Sequence, residues 1–205
     1  MKASEVDMYN TIALGINAPV YAFYAGRILQ RTGIRSGSCL DVGCGGGYLG
    51  LALARITDLD FIFFDQSPQM LHCAEENIAD DGFSTRARTM QGKVQSIPLA
   101  DSSVDLVVSR GSVPFWDQLP LAFGEINRVL KTAGWAYIGG GLGDPETRAA
   151  TSERLRKEYP EWQKKHRRPP LHDNGHYASA LTAAGIDAFS VTRNDKGMWI
   201  TFRKQ

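Results

Sequence analysis

Cysteine is scarce in this sequence. The 205 residues hold three, Cys39, Cys44 and Cys73, with no CxxC pair and no Cys/His cluster at zinc spacing. That excludes a disulfide scaffold and a structural zinc module. Four histidines, His72, His166, His172 and His176, give no ligand set on one helix face. His172 and His176 are four apart but flank Asp173-Asn174-Gly175 and read as a surface loop or helix start, so no metal is expected. An excess of one charge is also missing: 23 Lys and Arg face 22 Asp and Glu. No bulk field draws the chain to nucleic acid or an anionic membrane. No apolar run reaches the length of a membrane span, and Glu5 and Asp7 stand where a secretory signal needs apolar residues. A soluble, cytoplasmic protein with no nucleic-acid or membrane partner is expected. Nothing sets its oligomeric state.

What is present is a chain with 43% hydrophobic and 22% charged residues, enough for one domain with a sizeable core over residues 1–205. Short apolar runs alternate with helical patterns, the mark of a parallel sheet with helices on both faces. Strands are expected at Cys39–Val42, Phe61–Phe64, within Ala87–Gln91, at Val104–Ser109 and at Trp135–Ile138. Helices are expected from Tyr48 to Ile56, from Pro68 to about Ala79 with Ser67 as cap, and from about Asp117 to Lys131 with a left-handed cap at Gly134. Asp144-Pro145-Glu146 opens a charged helix running to Arg168 before Pro169-Pro170. A helix around Tyr177–Ala184 precedes two strands, Ala188–Arg193 and Met198–Arg203, whose four-residue separation predicts an antiparallel hairpin. Residues 1–36 form an N-terminal helical cap and residues 144–170 a helical insertion after the fifth strand.

The first strand runs into Asp41-Val42-Gly43-Cys44-Gly45-Gly46-Gly47. A glycine turn between strand and helix lets a ligand approach the backbone closely. A dinucleotide fingerprint begun at Gly43 needs glycine at 48, where Tyr48 stands, and a P-loop begun at Gly45 needs lysine at 51, where Leu51 stands. Both NAD and nucleoside triphosphates are therefore disfavoured. A carboxylate before a GxGxG turn suits an adenosyl ligand with an ammonium and no pyrophosphate. Asp65 ends the second strand 24 residues after Asp41, near the roughly 20-residue offset of a ribose-binding acid.

These residues resemble the class I S-adenosylmethionine-dependent methyltransferases, particularly the ubiquinone and menaquinone biosynthesis branch (methyltransferase type 11). The likeness rests on four segments in order: Leu40-Asp41-Val42-Gly43-Cys44-Gly45-Gly46-Gly47, Phe64-Asp65-Gln66-Ser67-Pro68-Gln69-Met70-Leu71, Ile97-Pro98-Leu99-Ala100-Asp101-Ser102-Ser103-Val104-Asp105-Leu106-Val107-Val108-Ser109, and Glu125-Ile126-Asn127-Arg128-Val129-Leu130-Lys131. The resemblance implies an α/β fold with a doubly wound, Rossmann-like seven-stranded sheet, mostly parallel with an antiparallel C-terminal hairpin strand. It implies S-adenosyl-L-methionine as cofactor, lying across the ends of strands one, two and four. Gly43, Cys44 and Gly45 would then lie along methionine and ribose, Asp65 would take the ribose hydroxyls, and Gln66 and Met70 would border adenine. Asp41, Tyr48, Leu49, Ser67, Ser109 and Arg110 complete the expected set. Gly92-Lys93-Val94-Gln95 departs from the family pattern, since Lys93 stands where an aspartate usually accepts from the adenine amine. Lysine has donors only, so that contact falls to Gln95 or the Val94 backbone.

A sulfonium methyl is already electrophilic, so transfer rests largely on alignment and exclusion of water, and a base is optional. The acceptor is expected among Tyr21, Arg110, Ser112, Phe115 and Trp116. Arg110 would hold an acidic acceptor or pair with a nearby carboxylate. Phe115 and Trp116 would wall the sulfonium or pack in the core. Val20-Tyr21-Ala22-Phe23-Tyr24 would form a lid or an ordinary packed helix, and Gly139-Gly140-Gly141-Leu142-Gly143 would admit a ligand or make an unusual turn. The basic run Lys164-Lys165-His166-Arg167-Arg168 reads as a solvated surface, and Cys44 as a loop residue. The function expected is methyl transfer to an unidentified small molecule; the alternatives are a non-catalytic binding protein of this fold and a nicotinamide-dependent oxidoreductase.

Overall fold

Strands β1 (Ser36–Val42), β2 (Asp58–Asp65), β3 (Ala87–Gln91), β4 (Val104–Arg110), β5 (Leu130–Gly140), β6 (Phe189–Asn194) and β7 (Gly197–Arg203) form one sheet in the order β3-β2-β1-β4-β5-β7-β6. The structure is a computed structural model and describes residues 3–165 and 169–205. Strands β1 to β5 run parallel, and β7 is antiparallel to both β5 and β6. The expected doubly wound, mostly parallel sheet with an antiparallel hairpin is therefore present. The strand order reverses between β1 and β4, which opens a crevice at their carboxyl ends.

Among the described residues eight α-helices surround the sheet, directly or packed on one another: α1 (Ala3–Gly15), α2 (Ala18–Thr32), α3 (Tyr48–Ala54), α4 (Pro68–Asp80), α5 (Leu119–Val129), α6 (Pro145–Glu158), α7 (Pro160–Lys165) and α8 (Asn174–Ala183). The central strands are apolar on both sides because helices bury both faces. Leu40, Val42, Ile62, Phe64 and Val107 point to one core, with Phe123 and Ile126 of α5 and Tyr177 and Leu181 of α8. Their neighbours along each strand, Cys39, Phe61, Phe63, Leu106 and Val108, point to the other, with Ile28 of α2 and Leu51 of α3. No single helix among the described residues is long and apolar enough to cross a membrane; α1 and α2 together are, but they are bent by 63° at their break.

Two of the recognised segments prove to be one structural unit. Arg128 on α5 donates to the carbonyls of Ile97 and Leu99, to Asp101 and to Glu125, while the Ile97 amide donates to Glu125. The loop before β4 is thereby fixed to α5, with the carboxyls of Asp101 and Glu125 holding the Arg128 guanidinium charged. The expected caps also form. Ser67 accepts from the Met70 amide at 3.3 Å and Asp144 from the Thr147 amide at 2.8 Å.

Four expectations fail at element ends. Helix α5 stops at Val129, and the chain enters β5 directly at Leu130, whose backbone is already extended. No left-handed cap forms at Gly134; the positive φ falls on Ala133, whose amide bonds Lys204. A Cβ at Gly134 would press on the Lys131 and Asp105 carbonyls at 2.8 and 3.0 Å, which explains glycine there. The charged helix after Asp144 is broken at Tyr159, because Pro160 lacks an amide hydrogen and disfavours helix in the residue before it. Helix α3 ends at Ala54, two residues short of Ile56. His166 to Arg168, and the side chains of Lys164 and Lys165, lie outside the described residues.

The glycines at the end of β5 serve the hairpin. A Cβ on Gly139 would fall 2.1 Å from the Met198 carbonyl oxygen and 2.9 Å from the Trp199 Cα, so β5 and β7 meet there only because position 139 has no side chain. Within the run, φ is positive at Gly143 alone. Gly139→Ala should therefore force the strands apart and lower stability by about 3 kcal/mol, at the upper end of overpacking costs. Urea unfolding of the two proteins checks this, and an unchanged midpoint would show that the hairpin yields freely.

Candidate active site

The chain must turn sharply out of β1 to enter α3, and two backbone bonds and one carboxylate set that turn. The amides of Gly43 and Cys44 both donate to the Phe64 carbonyl, at 2.7 and 3.2 Å, so the loop is tied to the end of β2. Asp65, the last residue of β2, then accepts from the Gly45 amide at 3.0 Å with Oδ2 and from the Ser67 amide at 2.9 Å with Oδ1. Gly43 has a φ of 66°, and a Cβ there would lie 2.3 Å from the Ser112 Cβ, so the loops after β1 and β4 touch only across a glycine.

Asp41 lies beneath this loop. Its Oδ2 accepts from the Gly50 amide at 2.9 Å, and the residue is 1% exposed. Burial, reinforced by the Asp65 charge and opposed by the Gly50 amide, pushes its carboxyl up to about 7. A group so sealed offers no surface to a ligand, so Asp41 acts on the loop through its field and its bond to α3. Cys44 is likewise buried, with its thiol on the Gly45 carbonyl at 3.3 Å and its pKa raised by burial. That is the reverse of an activated nucleophile.

The remaining expected residues divide by exposure. Gly43, Gly45, Asp65, Ser67, Gln95, Arg110, Ser112 and Trp116 are half-buried, and Gln66, Lys93 and Phe115 are exposed. All of these line the carboxyl ends of β1 to β4. Tyr21, Tyr48, Leu49, Met70, Val94 and Ser109 are buried. Lys93 makes no ion pair with Asp65; its carbonyl closes a turn by accepting from the Ser96 amide at 2.9 Å. Gln95 spends its amide on the Asp117 carbonyl at 2.6 Å and keeps its side-chain oxygen. Ser109 reaches Ser112 at 2.6 Å, and Ser112 donates to the Val42 carbonyl at 3.1 Å, so these hydroxyls tie β4 to β1. Trp116 packs edge-on against Phe123 at 6.2 Å, whereas Phe115 stands 56% exposed. His172 and His176 stack at 4.0 Å on the exposed start of α8, and no cluster of three or more metal-binding groups occurs among the described residues.

Helices α1 and α2 lie over the crevice. Tyr48 sits between Tyr9 and Tyr21, at ring distances of 5.7 and 5.4 Å, and the Arg110 guanidinium lies 4.5 Å from the Tyr21 ring. Asn10 and Asn77, both missed in the sequence, and Tyr24 of the expected lid segment hold this cover down. Asn77 on α4 donates to the Gly46 carbonyl at 2.8 Å and to Asn10 of α1 at 2.9 Å, and Asn10 donates back at 3.3 Å. Tyr24 donates to the Lys196 carbonyl and accepts from the Gly143 amide at 3.1 Å. The only trace of Asn77 in the sequence is an amide standing in the apolar stripe of Met70, Cys73, Ala74 and Ile78. A separate surface hollow of about 550 Å³, lined by Arg35, Arg55 and Arg86, lies at the amino ends of the strands. Its Arg86 is committed to the Leu59 and Ala54 carbonyls and its Arg55 to Asp81.

Residues 40–138 match the model of a methyltransferase domain family. Over 99 residues the chain is 37% identical to malonyl-[acyl-carrier protein] O-methyltransferase of Pectobacterium atrosepticum, covering 46% of this chain and 35% of that protein. Over 109 residues it is 32% identical to demethylmenaquinone methyltransferase of Chlorobaculum parvum, covering 53% and 43%. The chain thus spans less than half the length of either curated relative. A crystal structure from Methanococcus maripaludis, provisionally described as an S-adenosyl-L-methionine-dependent methyltransferase, is 36% identical with a TM-score of 0.90, and the match covers 99% of this chain and 93% of that one. With the acid-anchored glycine turn and near full-length agreement with that structure, this chain belongs to the S-adenosyl-L-methionine-dependent methyltransferase family.

Proposed function

We propose that this protein is an enzyme that transfers a methyl group from S-adenosyl-L-methionine to a small molecule in the cytoplasm, with residues 1–205 working as one domain. In this reading residues 1–36 form its cap and residues 144–170 an insertion beside the acceptor. One observation carries the reading: the glycine turn has a half-exposed carboxylate at its side, Asp65, bonded to the Gly45 amide. A carboxylate there repels pyrophosphate and favours a cationic ligand. Each Asp65 oxygen holds one backbone amide and retains capacity for the ribose hydroxyls. Half-exposed Gly43 and Gly45 leave the backbone open to the methionine chain.

When bound, the cofactor supplies a methyl on sulfonium; the acceptor lone pair takes that methyl as the carbon–sulfur bond breaks and its electron pair passes to sulfur. Tyr21, Tyr48 and Leu49 keep water from the site, and the Ser109–Ser112 pair holds the end of β4 against the loop. Gln66, Ser67, Met70, Lys93, Val94 and Gln95 border the adenine, with the free Gln95 oxygen as its acceptor. Arg110, Ser112, Phe115 and Trp116 line the acceptor side. The near balance of charge supports a small acceptor over a nucleic acid.

S-adenosylmethionine and S-adenosylhomocysteine should bind and raise the melting temperature, whereas NAD and ATP should not. Asp65→Ala should weaken that binding by about 1.5–3 kcal/mol for each hydrogen bond to the ribose that it removes, with the fold intact by circular dichroism. Saturable NAD binding without adenosyl binding would contradict the proposal. Cofactor binding with no acceptor pool yielding S-adenosylhomocysteine would favour the non-catalytic binding protein.

Asp41 predicts a pH dependence. An acid raised from about 4 when unfolded to about 7 when folded costs stability progressively as pH climbs between those values. Asparagine keeps an acceptor for the Gly50 amide and carries no charge. The stability advantage of Asp41→Asn in the ligand-free protein should grow by up to about 1.4 kcal/mol per pH unit toward pH 7 and then level off. Denaturation at pH 5, 6, 7 and 8 measures it; parallel curves would show that Asp41 is not strained.

Lys93→Asp should tighten S-adenosylhomocysteine binding by several-fold to about tenfold, by offering the adenine amine an acceptor. Titration beside Lys93→Ala decides this. Equal affinities would show that position 93 does not face adenine.

A further inference from the structure

Among the described residues, Arg110 is a half-buried cation in the crevice that no anion pairs. It ends β4, and its guanidinium lies 4.5 Å from the Tyr21 ring and 5.8 Å from the Tyr24 ring. One terminal nitrogen donates to the Gly141 carbonyl at 2.6 Å. Its Nε is buried with no hydrogen-bond partner, and no carboxylate lies within ion-pair distance of it among the described residues. Arg128, by contrast, is held by both Glu125 and Asp101. A half-buried guanidinium with an unsatisfied donor is costly unless an anion completes it, and its fork matches a carboxylate.

The partners of Arg110 show which ligand this anion belongs to. Gly141 follows β5, and Tyr24 is bonded to Gly143 and to Lys196 in the β6–β7 turn. Gly141, Gly143 and Lys196 lie on the β5–β7 side of the switch point, away from Asp65, β2 and β3, while Tyr21 also packs on Tyr48 at the start of α3. Two apolar side chains stand exposed on the loops of the same side, Phe115 after β4 and Leu142 after β5. We propose that Arg110 is the receptor for a carboxylate of the methyl acceptor, and that the acceptor class is small organic acids with an apolar body, methylated at an atom other than that carboxylate. The inference rests on the methyltransferase reading of this site and adds to it the charge of the acceptor.

The test uses the protein saturated with S-adenosylhomocysteine and titrated with benzoate, phenylacetate and octanoate, each beside its neutral amide, by calorimetry. The acids should bind about tenfold or more tightly than the amides. Arg110→Gln, which keeps a donor for Gly141, should abolish that preference, and Arg110→Lys should restore part of it. S-adenosylhomocysteine affinity should change by less than about threefold in both variants, a difference of under 1 kcal/mol. Acids that bind no better than amides, that do not bind, or that bind Arg110→Gln undiminished would overturn the proposal. So would loss of S-adenosylhomocysteine affinity in Arg110→Gln, which would give the guanidinium to the cofactor's own carboxylate. Failure of the wild type to bind S-adenosylhomocysteine would instead overturn the reading on which the proposal rests.

Discussion

The end of β2 holds the loop that leaves β1, and everything at the site depends on that attachment. The Phe64 carbonyl takes two loop amides, and Asp65 takes a third while bonding its own turn at Ser67. Parallel pairing of β1 with β2 from Ser36 to Val42 brings these groups into register. A slip of one residue would point Asp65 to the other face. The carboxylate is thus a structural acceptor and a half-exposed anion at once. Its second role is available only because the backbone amides leave lone pairs unused.

Around that anchor the protein divides its crevice by charge. Asp65 makes the β1–β2 side negative, while Asp41 is sealed beneath it so thoroughly that its ionisation is opposed. Arg110 makes the β4–β5 side positive, backed by tyrosine faces. A ligand with a cationic centre near the glycine turn and a second ligand with an anion beyond it would each meet complementary charge. The aromatic cover from α1 and α2 excludes water from between them, which strengthens both fields. The cover is itself anchored at two ends, by Asn10 and Asn77 over the loop and by Tyr24 over the hairpin.

Local signals in the sequence carried the sheet and the loop, because both are written in short segments. The run from Leu40 to Gly47 is apolar strand followed by glycine turn, and Ser67-Pro68 starts a helix wherever it stands. What lay beyond reach was contact between distant positions. Asn10 and Asn77 are 67 residues apart, and Tyr24 meets Lys196 across 172. Nothing local marks either pair. The helix after Asp117 was read too long because Leu130 to Ala133 suits helix and strand equally, and pairing with β4 and β7 decides for strand. Gly139 to Gly143 were expected to admit a ligand or make an unusual turn, and at Gly139 the close approach is that of β7 instead. Asp41 was expected at the ligand, and burial puts it underneath.

In the proposed complex S-adenosyl-L-methionine is held by the glycine turn and Asp65. A crystal structure with S-adenosylhomocysteine bound puts this to the test. Both ribose hydroxyls should then lie within hydrogen-bonding distance of Asp65, with the homocysteine chain along Gly43 and Gly45 and adenine beside Val94. A nucleoside bound elsewhere, or an Asp65 turned away from the ribose, would contradict this arrangement.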